Sequence, residues 1–286
     1  MRKKLNFNHT VYACFTGYVV QAIIVNFAPL LFVTFQNTYG IGLEKITLLV
    51  TINFGIRLII DLFSSVFVRR LGYRRTAVTA QCFSILGLVC LAFLPEICEN
   101  AYTGLLISTA LYAVGGGLDE VIISPVVELC PTERKAASMS LLHSFYCWGQ
   151  VGVVLITTLL LRLIVEDLWF IIPILWSLLP LYNLFRFLKV PLMPTVPEEE
   201  KTPLKTLFTS KIFLVALLLM LCAGASELAM SQWSSLFAER ALGVTKVIGD
   251  LLGPCLFAVF MGIGRTIYGV WGEKIHLTGA MVFCAA

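Results

Sequence analysis

Long runs of apolar residues, separated by short polar segments, follow one another along the whole sequence. Most runs reach about 20 residues, the length that a helix rising about 1.5 Å per residue needs to cross a hydrocarbon layer about 30 Å thick. The pattern predicts eight membrane-spanning helices, numbered one to eight, over residues 10–35, 46–68, 76–95, 102–127, 137–160, 168–188, 212–238 and 247–270. A ninth run begins near Leu277 and has only ten residues before Ala286, so we expect a C-terminally truncated chain.

Composition supports a membrane protein. Of the 286 residues, 58% are hydrophobic and 13% are charged, whereas about 25% of residues are charged in soluble domains. A cleaved signal peptide is not expected, because the first run is too long and contains Gln21 and Asn26. The nine cysteines are scattered singly, so neither disulfides nor metal sites are predicted. The predicted fold class is an all-α, multi-pass integral membrane protein.

The distribution of basic residues predicts the orientation. If the N-terminus lies inside, fifteen of the 21 Lys and Arg residues fall in inner segments and four in outer loops, which leaves Arg57 and Arg265 within spans. Inner loops of membrane proteins carry an excess of Lys and Arg. We therefore expect a protein of the cell membrane with a cytoplasmic N-terminus.

A polar segment divides the chain into two blocks. Residues 190–211 contain four prolines and an acidic triplet, which is typical of a semi-stiff, solvated linker. The predicted domains are a six-span bundle over 1–189, the cytoplasmic linker 190–211 and an incomplete second bundle over 212–286. A weak repeat links the blocks, since S-V-F-V-R-R-L-G (65–72) ends span two and G-V-W-G-E-K-I-H (269–276) ends span eight.

This organisation resembles the major facilitator superfamily, whose members usually carry two six-span halves. The segment 65–75 looks like the superfamily's loop signature after span two, Gly-x-x-x-Asp-Arg/Lys-x-Gly-Arg/Lys-Arg/Lys, although Ser65 replaces the first glycine and Arg69 replaces the acid. The residues that fit the signature are Arg70, Gly72, Arg74 and Arg75 in the first block and Gly269, Glu273 and Lys274 in the second. The resemblance implies a complete N-terminal six-helix bundle and the first two helices of a C-terminal bundle.

Two further segments are similar to fucose-permease-like sugar transporters of that superfamily. They are G-G-G-L-D-E and the residues that follow it over 115–149, and A-G-A-S-E at 223–227. This likeness implies a sugar as substrate and protons as the coupling ion.

Span two carries charges inside its apolar run. Asn53, Arg57 and Asp61 are spaced by four residues, which places them on one helix face and allows Arg57 and Asp61 to pair. Each charge inside a bilayer costs about 2.5–3.5 kcal/mol on insertion scales, so a reason for it is expected. One interpretation is an ion pair for gating or coupling beside a central cavity, and the other is a self-neutralised pair that fixes helix packing.

Span four carries Asp119 and Glu120 beside three glycines at 115–117. Consecutive side chains point about 100° apart on a helix, so the two acids face different neighbours. The glycines allow close approach of another helix. Because burial disfavours the charged carboxylate, either acid is a candidate for proton coupling. The alternative is that they pair with Arg57 or another basic group.

The other spans supply candidate substrate contacts, with packing as the alternative for each. Gln21 and Asn26 lie about 140° apart on span one, so at most one of them is expected to face a substrate. Arg265 is a candidate partner for Glu227. The candidate substrate-binding residues are Gln21, Asn26, Asn53, His143, Tyr146, Trp148, Gln150, Gln232 and Trp233. The candidate coupling or ion-pair residues are Arg57, Asp61, Asp119, Glu120, Glu227 and Arg265.

The sequence lacks signatures of several other functions. It has neither a G-x-x-x-x-G-K-[ST] phosphate loop nor an H-E-x-x-H motif, so we expect no enzyme activity, no cofactor and no nucleic-acid partner. The expected function is alternating-access transport of a small polar solute within the lipid bilayer, with a proton-coupled sugar as the specific case. The alternatives are multidrug or metabolite efflux and, in another class, a non-transporting fragment or membrane scaffold.

Overall fold

The computed structural model describes residues 6–131, 135–163, 168–194, 204–274, 276 and 279. Eight helices in these residues are long and apolar enough to cross a membrane. They are Phe7–Leu30, Leu43–Ser64, Arg70–Ile97, Ala101–Leu129, Ala137–Leu163, Ile171–Lys189, Lys211–Leu242 and Lys246–Trp271, and they are called spans one to eight below. The eight predicted spans are confirmed, with ends that differ by at most six residues. The start of a ninth span near Leu277 lies outside the described residues.

Local sequence signals explain where several of these helices begin and end. The Asn6 side chain accepts a hydrogen bond from the backbone N–H of His9 and caps the start of span one. After span one, a short helix Phe32–Tyr39 ends at Gly40. Spans two and three follow each other in one helical stretch, Leu43–Ile97, that is interrupted at Gly72 with φ 74° and ψ 161°. Side chains with a Cβ rarely adopt that conformation, so glycine is required at this break.

Span one lies at the centre of the first block, which comprises spans one to six. In its most apolar stretch 72% of the residues are buried, and it packs against spans four, five and six. Its apolar side chains belong to both large core clusters. Spans seven and eight form the second block; span eight packs along span five, and span seven touches span one.

Arg74 joins two helices at the end of the bundle that leads into residues 190–211, here called the linker end. Arg74 donates from Nη1 to the carbonyl oxygens of Phe187 and Leu188, at 2.9 and 2.8 Å, and from Nη2 to that of Val190 at 2.8 Å. The last carbonyls of a helix lack partners within it and favour a nearby cation. Arg74, which fits the superfamily signature, therefore fastens span three to the end of span six.

The predicted linker is partly helical. A short helix, Leu204–Thr209, lies within it, and the Phe208 ring meets the Phe213 ring edge to face at 5.6 Å between centroids. This aromatic contact places the short helix directly against the start of span seven. Residues 195–203 of the linker lie outside the described residues.

Three different helices pack against the glycine triplet of span four. A Cβ added at Gly115 would lie 2.6 Å from the backbone nitrogen of Ser84 in span three, and one at Gly116 would lie 2.8 Å from Ile24 in span one. At Gly117 it would lie 3.1 Å from Ile60 in span two. The close helix approach predicted from these glycines is therefore present. It places span two directly against span four, beside the site described below.

We expect replacement of Gly115 by alanine to destabilise the protein by about 1–3 kcal/mol, because the new methyl group would overlap the backbone of span three. Thermal unfolding in detergent measures the change. Gly152→Ala is the matched control, since its added Cβ has no described neighbour within 4 Å apart from its own turn of helix. Equal melting temperatures for the two variants would contradict the packing described here.

Candidate functional site

A cavity of about 350 Å³ opens between the two blocks. Spans one, two, four and five form its wall in the first block, and spans seven and eight form its wall in the second. Its size is near the lower end of the range of about 300–1,000 Å³ seen for small-molecule pockets. Eight of the predicted site residues line it, namely Gln21, Arg57, Asp61, Glu120, His143, Tyr146, Glu227 and Arg265.

An ion pair between spans two and four forms the charged part of the first wall. Arg57 is buried and donates from Nη2 to Oε2 of Glu120, whose side chain is 45% exposed. The pair depends on the close helix contact, since a Cβ at Gly117 would lie 3.3 Å from Cα of Arg57. Arg57 thus pairs with Glu120, the alternative that the sequence allowed for the acids of span four, and no salt bridge in the described part of the chain joins it to Asp61, which is exposed.

The same wall retains polar atoms that have no hydrogen-bond partner among the described residues. They are Nε and Nη1 of Arg57 and Oε1 of Gln21, all of which are buried. Leaving a buried donor or acceptor unpaired costs about 1–3 kcal/mol, and more for a charged group. The wall therefore contains two donors and one acceptor whose hydrogen-bonding capacity the described residues leave unused.

A second ion pair faces the cavity from the other block. Nη2 of Arg265 in span eight lies 3.5 Å from Oε2 of Glu227 in span seven, and both side chains are 32% exposed. The sequence predicts Arg265 as a candidate partner for Glu227, and the two side chains are in contact. Each block thus presents one arginine and one glutamate to the cavity, and Asp61 adds a further carboxylate.

Aromatic side chains complete the first wall. The Tyr18 ring stands edge to face against the His143 imidazole, with 5.0 Å between centroids. The Tyr18 hydroxyl and Oγ of Ser124 are hydrogen-bonded at 2.8 Å, and Nδ2 of Asn26 donates to the Tyr146 hydroxyl at 3.2 Å. These rings present an apolar surface and are held in place by polar contacts behind them.

Asp119 lies outside the cavity although it is adjacent to Glu120 in sequence. It is fully buried between spans three and four, where Nε2 of Gln81 donates to its two carboxylate oxygens at 2.9 and 2.7 Å. The turn of about 100° between consecutive helical residues separates the two acids. The structure therefore brings Glu120, and not Asp119, to the wall shared by both blocks.

Six predicted substrate-binding residues also lie away from the cavity. Asn26 supports Tyr146 from behind, and Trp148 donates from Nε1 to Thr266 at 3.2 Å. The remaining four make contacts elsewhere in the bundle: Asn53 and Gln232 line a separate void, Gln150 bonds to Pro254, and Trp233 lines a groove with Arg240. Periodicity places these residues on faces of their helices, but it does not show which neighbour each face meets.

Some functional candidates were not found from the sequence. Tyr18 lines the cavity, and its position three residues before Gln21, on the same helix face, is a signal that could have revealed it. Asp250 is fully buried in the first turns of span eight. An acidic residue inside the apolar run 247–270 is the signal that could have revealed it.

Comparison with known proteins decides the family. The sequence profile of the Major Facilitator Superfamily matches residues 13–286, almost the whole chain. The chain belongs to the major facilitator superfamily. No curated protein matches it significantly.

Solved structures show the superfamily fold at low sequence identity. A crystal structure of a D-xylose-proton symporter is similar with a TM-score of 0.66 and 16% identity, over 94% of this chain and 70% of that chain. A crystal structure of a peptide transporter in complex with alafosfalin gives a TM-score of 0.54 and 13% identity, over 94% of this chain and 68% of that chain. These likenesses show a shared fold.

The superfamily signature also has a packing role in the second block. A Cβ at Gly269 would lie 3.2 Å from the backbone nitrogen of Leu141 and 3.5 Å from the carbonyl oxygen of Ala137. The signature glycine therefore lets span eight pack closely on the start of span five, at the linker end.

A double-mutant cycle tests the Arg57–Glu120 pair. We expect Glu120→Gln to lower the stability, because it leaves the buried guanidinium without its counter-charge. Adding Arg57→Gln should recover part of the loss, with an interaction energy of about 1–3 kcal/mol measured by unfolding in detergent. Glu128→Gln, at an exposed site two turns along the same helix, serves as the control. Strictly additive effects would contradict the pair.

Proposed function

We propose that this protein is a secondary active transporter that moves a small polar solute across the cell membrane, with a sugar as substrate and protons as the coupling ion. The observation that carries the proposal is the cavity between the two blocks, with one arginine–glutamate pair on each side. Membership of the major facilitator superfamily supports transport as the activity. The cytoplasmic N-terminus, inferred from the basic residues, belongs to the same proposal.

The arrangement of the blocks suits alternating access. A site at the interface of two rigid bodies becomes open to one side and then to the other when the bodies rock. The first block is fastened internally by Arg74 and by the close contacts of the glycine triplet. Among the described residues, its hydrogen bonds to the second block come from span one, span five and the short helix Phe32–Tyr39.

The Arg57–Glu120 pair gives a route for coupling. Glu120 is half exposed towards the cavity, so a proton can reach it. When the carboxylate is neutralised, Arg57 keeps its charge and loses its counter-ion, and a ligand oxygen that accepts from the guanidinium then becomes favourable. In this scheme, the proton on Glu120 and the solute on Arg57 bind together.

The polar groups of the cavity fit a solute rich in hydroxyl groups. Arg57 donates, Gln21 accepts, and the Tyr18 and Tyr146 rings offer flat apolar faces with hydroxyl groups at their ends. The name of one structural relative, a D-xylose-proton symporter, makes D-xylose a reasonable first probe.

Uptake into proteoliposomes under an imposed pH gradient tests the proposal, with D-xylose, L-fucose and a dipeptide as probes. We expect a sugar to accumulate, Arg57→Ala to reduce uptake at least about 100-fold at unchanged expression, and Glu120→Gln to lose proton-driven accumulation while exchange of solute continues. Glu128→Gln should behave as the wild type.

Two outcomes would contradict this proposal. Unchanged uptake by Arg57→Ala would exclude the cavity as the transport site. Net extrusion of aromatic compounds with no sugar uptake would favour the efflux alternative instead.

A further inference from the structure

A buried carboxylate joins the two blocks far from the cavity. Asp250 of span eight is fully buried, and its Oδ2 accepts a hydrogen bond of 2.9 Å from the hydroxyl of Thr158 in span five. Its Oδ1 accepts from the hydroxyl of Ser235 in span seven. Nζ of Lys246, one turn earlier in span eight, lies 3.4 Å from Oδ2. One carboxylate thus holds span five of the first block to both helices of the second.

This contact lies at the end of the bundle opposite to the linker end. Asp250 precedes the cavity residue Arg265 by 15 residues in span eight, which corresponds to about 22 Å along a helix. Other block-to-block bonds near this end are made by neutral acceptors: Gln232 donates to the Val25 carbonyl at 3.0 Å, and Arg240 donates to Gln36 at 2.9 Å. The bonds to Asp250 differ because their acceptor is a buried acid.

The backbone next to Asp250 is irregular. A π-helical turn, Leu251–Cys255, follows it directly and contains Pro254. Nε2 of Gln150 in span five donates to the Pro254 carbonyl at 3.5 Å. Such turns recur at functional sites, because they redirect side chains and free backbone groups from the regular ladder.

We propose that Asp250 is a proton-binding latch, which in its ionised form holds the two blocks together at the opposite end and on protonation lets that end open. This inference rests on the proposed alternating-access function. The ionised carboxylate accepts from both hydroxyls and balances the charge of Lys246. A protonated carboxyl loses that charge and part of its accepting capacity, so the three contacts weaken together.

Proton binding and opening are then coupled in both directions, because an energetic coupling between two events is reciprocal. On span eight itself, Lys246 and Cys255 are the ionisable neighbours of Asp250. On the helices that bond to it, the next ionisable residues are Glu239, one turn beyond Ser235 on span seven, and Arg162, one turn beyond Thr158 on span five.

Two adjacent threonines provide a matched pair of variants. Thr158 bonds across the blocks to Asp250, whereas Thr157 accepts a hydrogen bond of 3.0 Å from Trp176 within the first block. Both are buried. Thr158→Val therefore removes one hydrogen bond to Asp250. Thr157→Val removes a hydroxyl group of similar burial and leaves the bonds to Asp250 intact.

Access to the cavity can be measured with a single cysteine. Leu228→Cys, in a background free of other cysteines, places a thiol in the cavity wall. A membrane-impermeant maleimide is added to the face at the opposite end, and separately to the linker face, and the labelling rate is followed from neutral to acidic pH.

We expect labelling from the opposite face to become faster as the pH falls. Thr158→Val should raise the rate at neutral pH about tenfold, the value of one hydrogen bond to a charged group, and Thr157→Val should leave it unchanged. Asp250→Asn should label fast at every pH. Equal rates for the two threonine variants, or a wild-type pH dependence in Asp250→Asn, would overturn the latch.

The same experiment separates this inference from the proposed function. If the cysteine is labelled from both faces in the wild type, and the latch variants do not change the rates, the latch is rejected and alternating access is retained. If the cysteine is labelled only from the linker face in the wild type and in every variant, both the latch and alternating access are rejected.

Discussion

The cost of placing charge inside a hydrocarbon layer organises this protein. Arg57 is buried in the middle of an apolar helix, and it is tolerated there because Glu120 reaches it from the neighbouring span. That reach depends in turn on Gly117, whose missing side chain lets the backbone of span two come close. In the first block, charge neutralisation therefore depends on the close packing of spans two and four, and the candidate site contains the resulting ion pair.

The second block follows the same principle more loosely. Glu227 and Arg265 are 3.5 Å apart, and each side chain is 32% exposed, whereas in the opposite pair Arg57 is buried and Glu120 is 45% exposed. Between the two pairs lies the cavity, which is lined by side chains from both blocks. Asp250 lies about four helical turns away and is held by hydroxyl groups from both blocks. A cavity between the blocks and a polar contact between them at one end are therefore separate features of the same interface.

Several features could be predicted because they depend on one helix at a time. The eight spans follow from the length of each apolar run, and the break between spans two and three follows from Gly72. The separation of Gln21 from Asn26 follows from helical periodicity, and only Gln21 reaches the cavity wall. For Arg57 the sequence offered two kinds of partner, Asp61 on the same helix and an acid of span four, and only the packing of span two on span four selects Glu120.

The sequence by itself determined that the chain is helical, crosses the membrane several times and carries a superfamily signature, because hydrophobic length and local motifs act within short segments. Tertiary structure decided which charges pair, which of two adjacent acids faces the cavity, and that Asp250 joins the blocks. The physical reason is that a helix fixes the direction of each side chain relative to its own axis. Which neighbour that direction meets is set by how the helices pack, and here small residues far apart in sequence decide it.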